Sequence, residues 1–290
     1  MATHMRTPSQ GWASPMSTAL PRAIRTALPT IMAMIMGKVM TRTVLAVTAT
    51  ALHTAAGAGA MATTDRAMPP SALLRLLQLV SPALPIGGYH FSQGLEYAIE
   101  ANWVRDEASA LAWIRGLARS TVGTLDVPVL MRLHAAWSAN DFDAVERWSR
   151  FLIASRETAE LRAEDRHLGR SLAKVLAELG FIEARAWMSR PDATFASLFT
   201  LACVRWDIAV DVGASGYLWT WAENQVLAAV KAIPLGQSAG QRMLDALIAD
   251  IPSIADDAGR MSDDDIGSAA PLHLIASAAH ETQYTRLFRS

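Results

Sequence analysis

The strongest constraint on the fold is that apolar residues recur at helical spacing along nearly the whole chain after residue 70. Ser71–Val80 places four apolar residues on one helix face, and Leu161–Leu179 repeats this pattern before ending at Gly180, a favoured helix-terminating residue. Alternating runs of β-branched residues, which are typical of strands, are missing from the sequence. The sequence therefore predicts an all-α, single-domain bundle of roughly nine or ten helices over residues 71–290.

Capping and helix-breaking residues indicate where individual helices begin and end. We expect Ser92 and Asp106 to cap helices, and we expect Gly123–Pro128 to end the helix that starts at Asp106. Pro191-Asp192 predicts the start of a further helix. Asp256–Gly267 is expected to be a polar, acidic linker before a last helix at about 272–280.

The first seventy residues differ in composition from the rest. They contain no acidic residue before Asp65, and they are rich in Ala, Thr and Met. We expect residues 1–70 to be disordered, or to be translated from a start codon upstream of a native start at Met61 or Met68. The uncharged stretch Thr43–Thr64 is long enough to cross a bilayer, but its composition contributes little insertion free energy. A membrane-tethered helical protein is the corresponding alternative.

Charge and hydrophobicity restrict the kind of partner. The net charge of −1 and a pI of about 6.7 predict no nucleic-acid partner. Only 18% of residues are charged and 51% are hydrophobic, which indicates that surface is covered by partner proteins or touches a membrane. After residue 70 no uncharged apolar run approaches the length of a membrane span, so no membrane contact is predicted there. The single cysteine, Cys203, lies in an apolar run and is expected to be a small buried hydrophobe.

The least ordinary local sequence is Ser81–Glu96, which we call the elbow. Pro82 and Pro85 stop the preceding helix, and Gly87-Gly88 permits unusual backbone conformations or a close approach. By itself this pattern predicts a rigid corner between two helices, with three ring-bearing side chains presented directly after the glycines: Tyr89, His90 and Phe91.

Few residues have the spacing of a catalytic or metal site. Gly236–Gly240 lacks the Lys-Ser/Thr of a phosphate-binding loop. Asp263-Asp264-Asp265 raises the alternative of a helical enzyme that binds a diphosphate through magnesium, although a solvated acidic loop is the simpler interpretation. His273 and His280 lie near one face of the last helix and are weak candidates for binding a transition metal such as nickel or zinc. No catalytic residue is predicted, and the chain is not expected to be an enzyme.

Four separated blocks resemble the urease accessory protein UreF family. They are Leu77–Glu96 with the motif SPALPIGGYHFSQGLE, Ser155–Arg162 followed by Gly169, Trp221–Val226 with Ala229–Leu244, and Pro271-Leu272 with His280–Ser290. The blocks occur in this order across about residues 71–290. Residues 1–70 depart from the family pattern, which begins near the helix that contains Leu73.

The resemblance implies a cytoplasmic, all-α homodimer that takes part in urease maturation without hydrolysing urea. The implied partners are a UreD-type (UreH-type) scaffold, a UreG-type GTPase and apo-urease. Nickel is handled by the complex, GTP is bound by the partner GTPase, and no cofactor is bound tightly by the chain itself. The family also implies a role in regulating the GTPase.

Two groups of residues are candidate partner contacts under this resemblance. A GTPase-facing surface is expected to contain Lys231, Gln237, Gln241 and Arg242, because the two glutamines share one helix face beside small residues. A scaffold-facing surface is expected to combine the elbow residues Gly87, Gly88, Tyr89 and His90 with the basic and aromatic tail residues Tyr284, Arg286, Leu287, Phe288 and Arg289.

Overall fold

The computed structural model describes residues 68–290, which contain helices and no strand. The all-α prediction is confirmed. The α-helices are α1 (Pro70–Leu79), α2 (Leu95–Glu100), α3 (Glu107–Leu117), α4 (Val127–Ala139), α5 (Phe142–Ala154), α6 (Ala159–Glu178), α7 (Ile182–Trp187), α8 (Phe195–Arg205), α9 (Val210–Ala232), α10 (Gln237–Ile248), α11 (Ile251–Gly259) and α12 (Pro271–His280).

The helices outnumber the nine or ten expected because some are too short to show a period in the sequence. Helices α2 and α7 have six residues each, and α11 has nine. Residues 1–67 lie outside the described residues, and with them most of the predicted extension and the whole stretch Thr43–Thr64. None of the helices described is long and apolar enough to cross a membrane.

Side-chain caps account for several of the helix starts. The Asp106 carboxylate accepts a hydrogen bond from the Ser109 N–H at 2.8 Å, and the Ser109 hydroxyl oxygen accepts one from the Asp106 N–H, which completes a capping box for α3. The N-cap of α2 is Gly94 and not Ser92 as predicted, although the buried Ser92 hydroxyl accepts a hydrogen bond from the Glu96 N–H at 3.4 Å. The helix expected at Pro191-Asp192 begins at Phe195 instead, because the Thr194 side chain provides its cap.

The break predicted at Gly123–Pro128 does not occur. Between α3 and α4 the chain continues as a π-helical segment, Ala118–Asp126. Pro128 has no N–H to offer the carbonyl four residues earlier, and that carbonyl, on Thr124, accepts a hydrogen bond from the Gly267 N–H at 3.0 Å instead. A contact distant in sequence thus replaces the bond that proline removes, and the helix continues.

The prediction of an acidic linker over Asp256–Gly267 is also wrong for the first half of this segment. Helix α11 runs through it and buries Ile254, Ala255 and Ala258, while Asp256 and Asp257 face solvent. The second half contains a short 3₁₀ turn, Asp263–Asp265, whose side chains are exposed.

Two hydrophobic clusters form the interior. The larger one is built mainly where α4, α6 and α8 pack together, with α5, the start of α9 and α11 around them. It includes Cys203, which is 1% exposed, so the predicted burial of this residue is confirmed. Burial raises the pKa of its thiol to about 12. The smaller cluster joins α2, α3, the end of α9, α10 and α12, and it also contains Phe288 from beyond the last helix.

Candidate functional site

The elbow is a tight corner held against α9. Gly87 has φ of +76°, a conformation that glycine adopts without strain. A Cβ atom at Gly88 would lie 2.9 Å from the Asn224 side-chain nitrogen on α9, which is too close. Gly87 is therefore favoured by its backbone angle, whereas a side chain at position 88 would require the Asn224 amide to move.

The three ring-bearing residues of the elbow point in different directions. Tyr89 is 55% exposed, and its ring centroid lies 4.0 Å from that of the half-buried His90. Phe91 is buried and packs on His167 of α6, with the ring centroids 5.8 Å apart. The elbow consequently presents Tyr89 and His90 outward, while Phe91 anchors it.

The tail, Tyr284–Ser290, binds along the body of the same chain. The Arg289 N–H donates to the His90 carbonyl at 2.8 Å, so the tail and the elbow meet directly. Phe288 is buried in the smaller cluster, and the Ser92 N–H and hydroxyl both donate to the main-chain oxygen of Ser290. Tyr284 and Leu287 remain exposed. The last residues of a chain are usually solvated, but this tail is packed and hydrogen-bonded against the body.

Buried carboxylates hold the tail in place. The Glu96 carboxylate accepts hydrogen bonds from the N–H groups of Leu287 and Phe288 at 2.7 and 3.0 Å. Glu160 forms an ion pair with Arg286 at 2.7 Å. Glu164 accepts a hydrogen bond from the Ser290 hydroxyl at 2.8 Å. Acidic residues of α2 and α6 thus bind the main chain and side chains of the tail.

The predicted GTPase-facing residues divide between two places. Gln237, Gln241 and Arg242 are exposed in the first turns of α10, and we call them the α10 surface. The Arg242 guanidinium donates both of its hydrogen bonds to the Glu107 carboxylate, at 2.9 and 2.6 Å. The Lys231 ammonium lies 4.9 Å from the centroid of the Phe288 ring, as in a cation–π contact. Lys231 therefore belongs structurally with the tail.

The two candidate metal ligands have different surroundings. His280 is fully buried between two carboxylates: its Nδ1 lies 2.7 Å from Glu160 and its Nε2 lies 3.4 Å from Glu96. His273 is also buried and lines a cavity, and its Nε2 has no hydrogen-bond partner among the described residues. Burial lowers the pKa of His273. Within residues 68–290 no group of three His, Cys, Asp or Glu side chains is arranged to bind a metal ion.

A buried ionic network, which the sequence analysis did not single out, lies at the centre of the larger cluster. Arg156 donates to Asp126 at 2.5 and 3.1 Å and to Asp165 at 2.9 and 3.0 Å. The Tyr217 hydroxyl also donates to Asp126, and Asp165 accepts from the Phe195 N–H. Burial opposes the charge of Arg156, but the two carboxylates raise its pKa well above the usual value.

Beside this network is a cavity of about 60 Å³, which is lined by both polar and apolar residues. Three of the polar groups that line it have no partner within the described residues: the Thr121 hydroxyl, the Gln225 side-chain oxygen and His273 Nε2. Glu164 lines the same cavity, and burial raises its pKa to about 7. The sequence contained a signal for this site: Glu164 and Asp165 fall between Leu161 and Leu168, on the inward side of an otherwise amphipathic helix.

The acidic segment Asp263–Asp265 is exposed, and two of its side chains pair with neighbouring residues. Asp263 pairs with Arg132 at 2.9 Å, and Asp265 accepts a hydrogen bond from Ser262. Neither residue lines the cavity beside the Arg156 network. Nothing in this geometry supports the alternative of a diphosphate-binding enzyme.

Comparisons with known proteins agree with the residues that suggested a family. A family model described as UreF matches residues 104–248. The urease accessory protein UreF of Alkalilimnicola ehrlichii is 47% identical over 222 residues, which cover 77% of this chain and 97% of that protein. The proteins of the same name from Pseudomonas putida (strain W619) and Hahella chejuensis are 49% and 44% identical, covering 76% and 77% of this chain and 98% and 100% of their own lengths. The chain therefore belongs to the UreF family of urease accessory proteins.

Proposed function

We propose that the chain is a non-enzymatic subunit of a urease maturation complex. In this role it joins a UreD-type (UreH-type) scaffold to a UreG-type GTPase, and the complex delivers nickel to apo-urease at the expense of GTP bound by the GTPase. We further propose that it acts in the cytoplasm as a homodimer and that it regulates the GTPase.

The observation that supports this proposal is the presence of two groups of exposed residues on one helical body. One is formed by the elbow and the tail, which meet at His90 and Arg289 and expose Tyr89, Tyr284 and Leu287. The other is the α10 surface, where Gln237 and Gln241 are exposed. Exposed aromatic and basic residues are typical of energetically important contacts, so the first surface suits a stable scaffold and the second a partner that exchanges.

The buried carboxylates support the scaffold assignment of the elbow and tail. Because Glu96 and Glu160 fix the tail backbone and Arg286, the exposed side chains of Tyr284 and Leu287 are presented from an ordered segment. Preorganisation lowers the conformational entropy lost on binding.

The proposal is tested by co-purification of the tagged chain with a UreD-type scaffold and a UreG-type GTPase. Tyr89→Ala with Tyr284→Ala is expected to lower retention of the scaffold about tenfold or more, because both rings are exposed. Gln237→Ala with Gln241→Ala is expected to leave scaffold retention unchanged and to lower retention of the GTPase.

Two exposed apolar residues elsewhere, Phe142 and Ile182, provide the matched control. Their replacement by alanine is expected to change neither partner. Equal loss in the control and the test variants, or no loss in either test variant, would contradict the assignment of these surfaces. The isolated chain is also expected not to hydrolyse GTP, whereas adding it to the GTPase should change the rate of GTP hydrolysis.

A further inference from the structure

One face of α6 carries four basic residues at regular spacing. Arg162, Arg166, Arg170 and Lys174 are each four residues apart, so their side chains follow one another along the helix at intervals of about 6 Å. None of the four forms an ion pair with a carboxylate among the described residues, unlike Arg150 and Arg190 nearby, which pair with Glu146 and Asp192.

The three arginines of this row are held in place by hydrogen bonds to main-chain carbonyls. Arg162 donates to the Arg156 carbonyl at 2.6 Å, Arg166 to that of Pro191 at 2.8 Å, and Arg170 to that of Arg190 at 3.0 Å. A neutral carbonyl fixes the guanidinium without cancelling its charge. In Arg166 and Arg170 only Nε is used, so the two terminal nitrogens stay available for a bidentate contact with a carboxylate.

The row lies between two open depressions of about 540 and 330 Å³, and Arg166 lines both. The first also contains Arg162, together with Arg150 and Arg190, whose charges are offset by the Asp192 carboxylate in the same depression. The second contains His167, Arg170 and Ser171. A Cβ atom at Gly87 would lie 3.3 Å from His90 Nδ1 and 3.4 Å from His167 Nε2, so the two imidazole rings lie close together beside the elbow. Burial lowers the pKa of His167, and the nearby Arg289 and His90 lower it further. The basic face therefore extends from α6 to the junction of elbow and tail.

We propose that this basic face, comprising Arg162, Arg166, Arg170, Lys174 and His167 with the adjoining Arg289, binds an acidic segment of a partner protein through its carboxylates. The row spans about 18 Å, and in an extended peptide carboxylates at alternate positions are separated by about 6–7 Å, which matches the spacing of the arginines. Planar guanidinium groups with free terminal nitrogens suit carboxylates geometrically.

A protein segment is favoured over nucleic acid by the rest of the molecule. The net charge of the chain is −1, so the molecule as a whole would not attract a long polyanion. About six to eight residues of an extended acidic peptide are enough to cover the row.

The experiment measures fluorescence anisotropy of a labelled peptide of about eight alternating Glu and Gly residues, a length set by the row. The isolated full chain is expected to bind it at low salt, and binding should weaken as salt is raised because the groups are exposed. A peptide in which Gln replaces Glu should not bind.

Arg166→Glu with Arg170→Glu is expected to weaken binding about tenfold or more. Arg166→Lys with Arg170→Lys is expected to weaken it about threefold, since charge is kept but the bidentate geometry is lost.

The matched control is Arg105→Glu with Arg260→Glu, which changes the net charge equally at exposed positions outside both depressions. It should leave binding unchanged, and circular dichroism should show every variant to be helical.

The proposal is overturned if the control weakens binding as much as the test variant, if the Gln peptide binds equally, or if the charge reversal has no effect. Stronger binding of an oligothymidylate of the same charge would overturn it in favour of a nucleic-acid surface. The measurement uses the chain alone, so its failure would not affect the proposed role in urease maturation.

Discussion

At the scale of single residues, the environment of Glu164 determines a pH dependence of stability. This carboxyl is buried, it accepts hydrogen bonds from Gln93 and Ser290, and burial raises its pKa to about 7. Since the pKa is higher in the folded than in the unfolded chain, the folded state binds the proton more strongly. The resulting stabilisation is complete below about pH 4.5 and is lost as the pH rises through about 7.

Replacing Glu164 with Gln is expected to remove this dependence. Each unit of pKa shift corresponds to about 1.4 kcal/mol, so the free energy of unfolding of the variant relative to the native chain should increase by roughly 2–3 kcal/mol between pH 5 and 8. Urea denaturation at a series of pH values measures this difference. A constant difference between the two chains across that range would show that Glu164 titrates normally.

Gly88 is a second residue whose role depends on its neighbours. Gly88→Val is expected to lower the free energy of unfolding by about 1 kcal/mol, because the new side chain would displace the Asn224 amide from its position against the elbow. Thermal unfolding followed by circular dichroism checks this value. Gly116→Ala is the control: no atom lies within 4 Å of a Cβ at that helical position, so this change should stabilise slightly. Similar losses in both variants would mean that the contact between the elbow and Asn224 does not restrict the side chain at position 88.

At the scale of elements, the tail behaves as part of the folded body. Its burial is uneven: Phe288 is 6% exposed, while the adjacent Leu287 is 58% exposed. Both residues donate their N–H groups to Glu96, so they differ in side-chain burial but not in this main-chain contact. A substitution at Phe288 should therefore affect mainly the stability of the fold, and one at Leu287 mainly the surface that is available to partners.

Phe288→Ala is expected to lower the free energy of unfolding by about 3 kcal/mol, because it removes a buried ring and its contact with Lys231. Leu287→Ala should change it by no more than about 0.5 kcal/mol. Urea denaturation of the two variants distinguishes them. Equal and small changes would indicate that the tail leaves the body in solution.

At the scale of the whole molecule, the Arg156 network connects elements that are distant in sequence. Asp126 ends the π-helical segment, Asp165 lies on α6 and contacts the start of α8, and Tyr217 lies on α9. Arg156 stands in the connection between α5 and α6 and binds both carboxylates. One guanidinium thus joins the π-helical segment to α6 and, through the partners of these two carboxylates, to α8 and α9.

Arg156→Met is expected to lower the free energy of unfolding by about 3–5 kcal/mol at pH 7, since it leaves two buried carboxylates without a cation. The loss should be smaller at pH 5, where a buried and unpaired carboxyl can take up a proton. Arg242→Met removes an exposed ion pair and should leave stability unchanged. A loss for Arg156→Met that does not depend on pH would point to lost packing instead of unpaired charge.

The sequence by itself determined the helical class, most long helices and the family, because these depend on local periodicity, capping residues and motifs that are contiguous in the chain. Asp106 and Gly180 were interpretable for the same reason, since each residue type favours the helix end at which it stands. Short helices such as α2 and α7 were not, since six residues show no period. The roles of the two glutamines of α10 and of the elbow in binding partners are still predictions.

Only the tertiary structure decided the features that depend on contacts between distant residues. The helix continues through Pro128 because Gly267 satisfies the freed carbonyl, and the tail is ordered because Glu96, Glu160 and Glu164 bind it. Arg156 appears in the sequence as one basic residue among many, and becomes the centre of a buried network only when four elements meet. In each case a polar group removed from water requires a partner, and the fold alone determines which distant residue provides it.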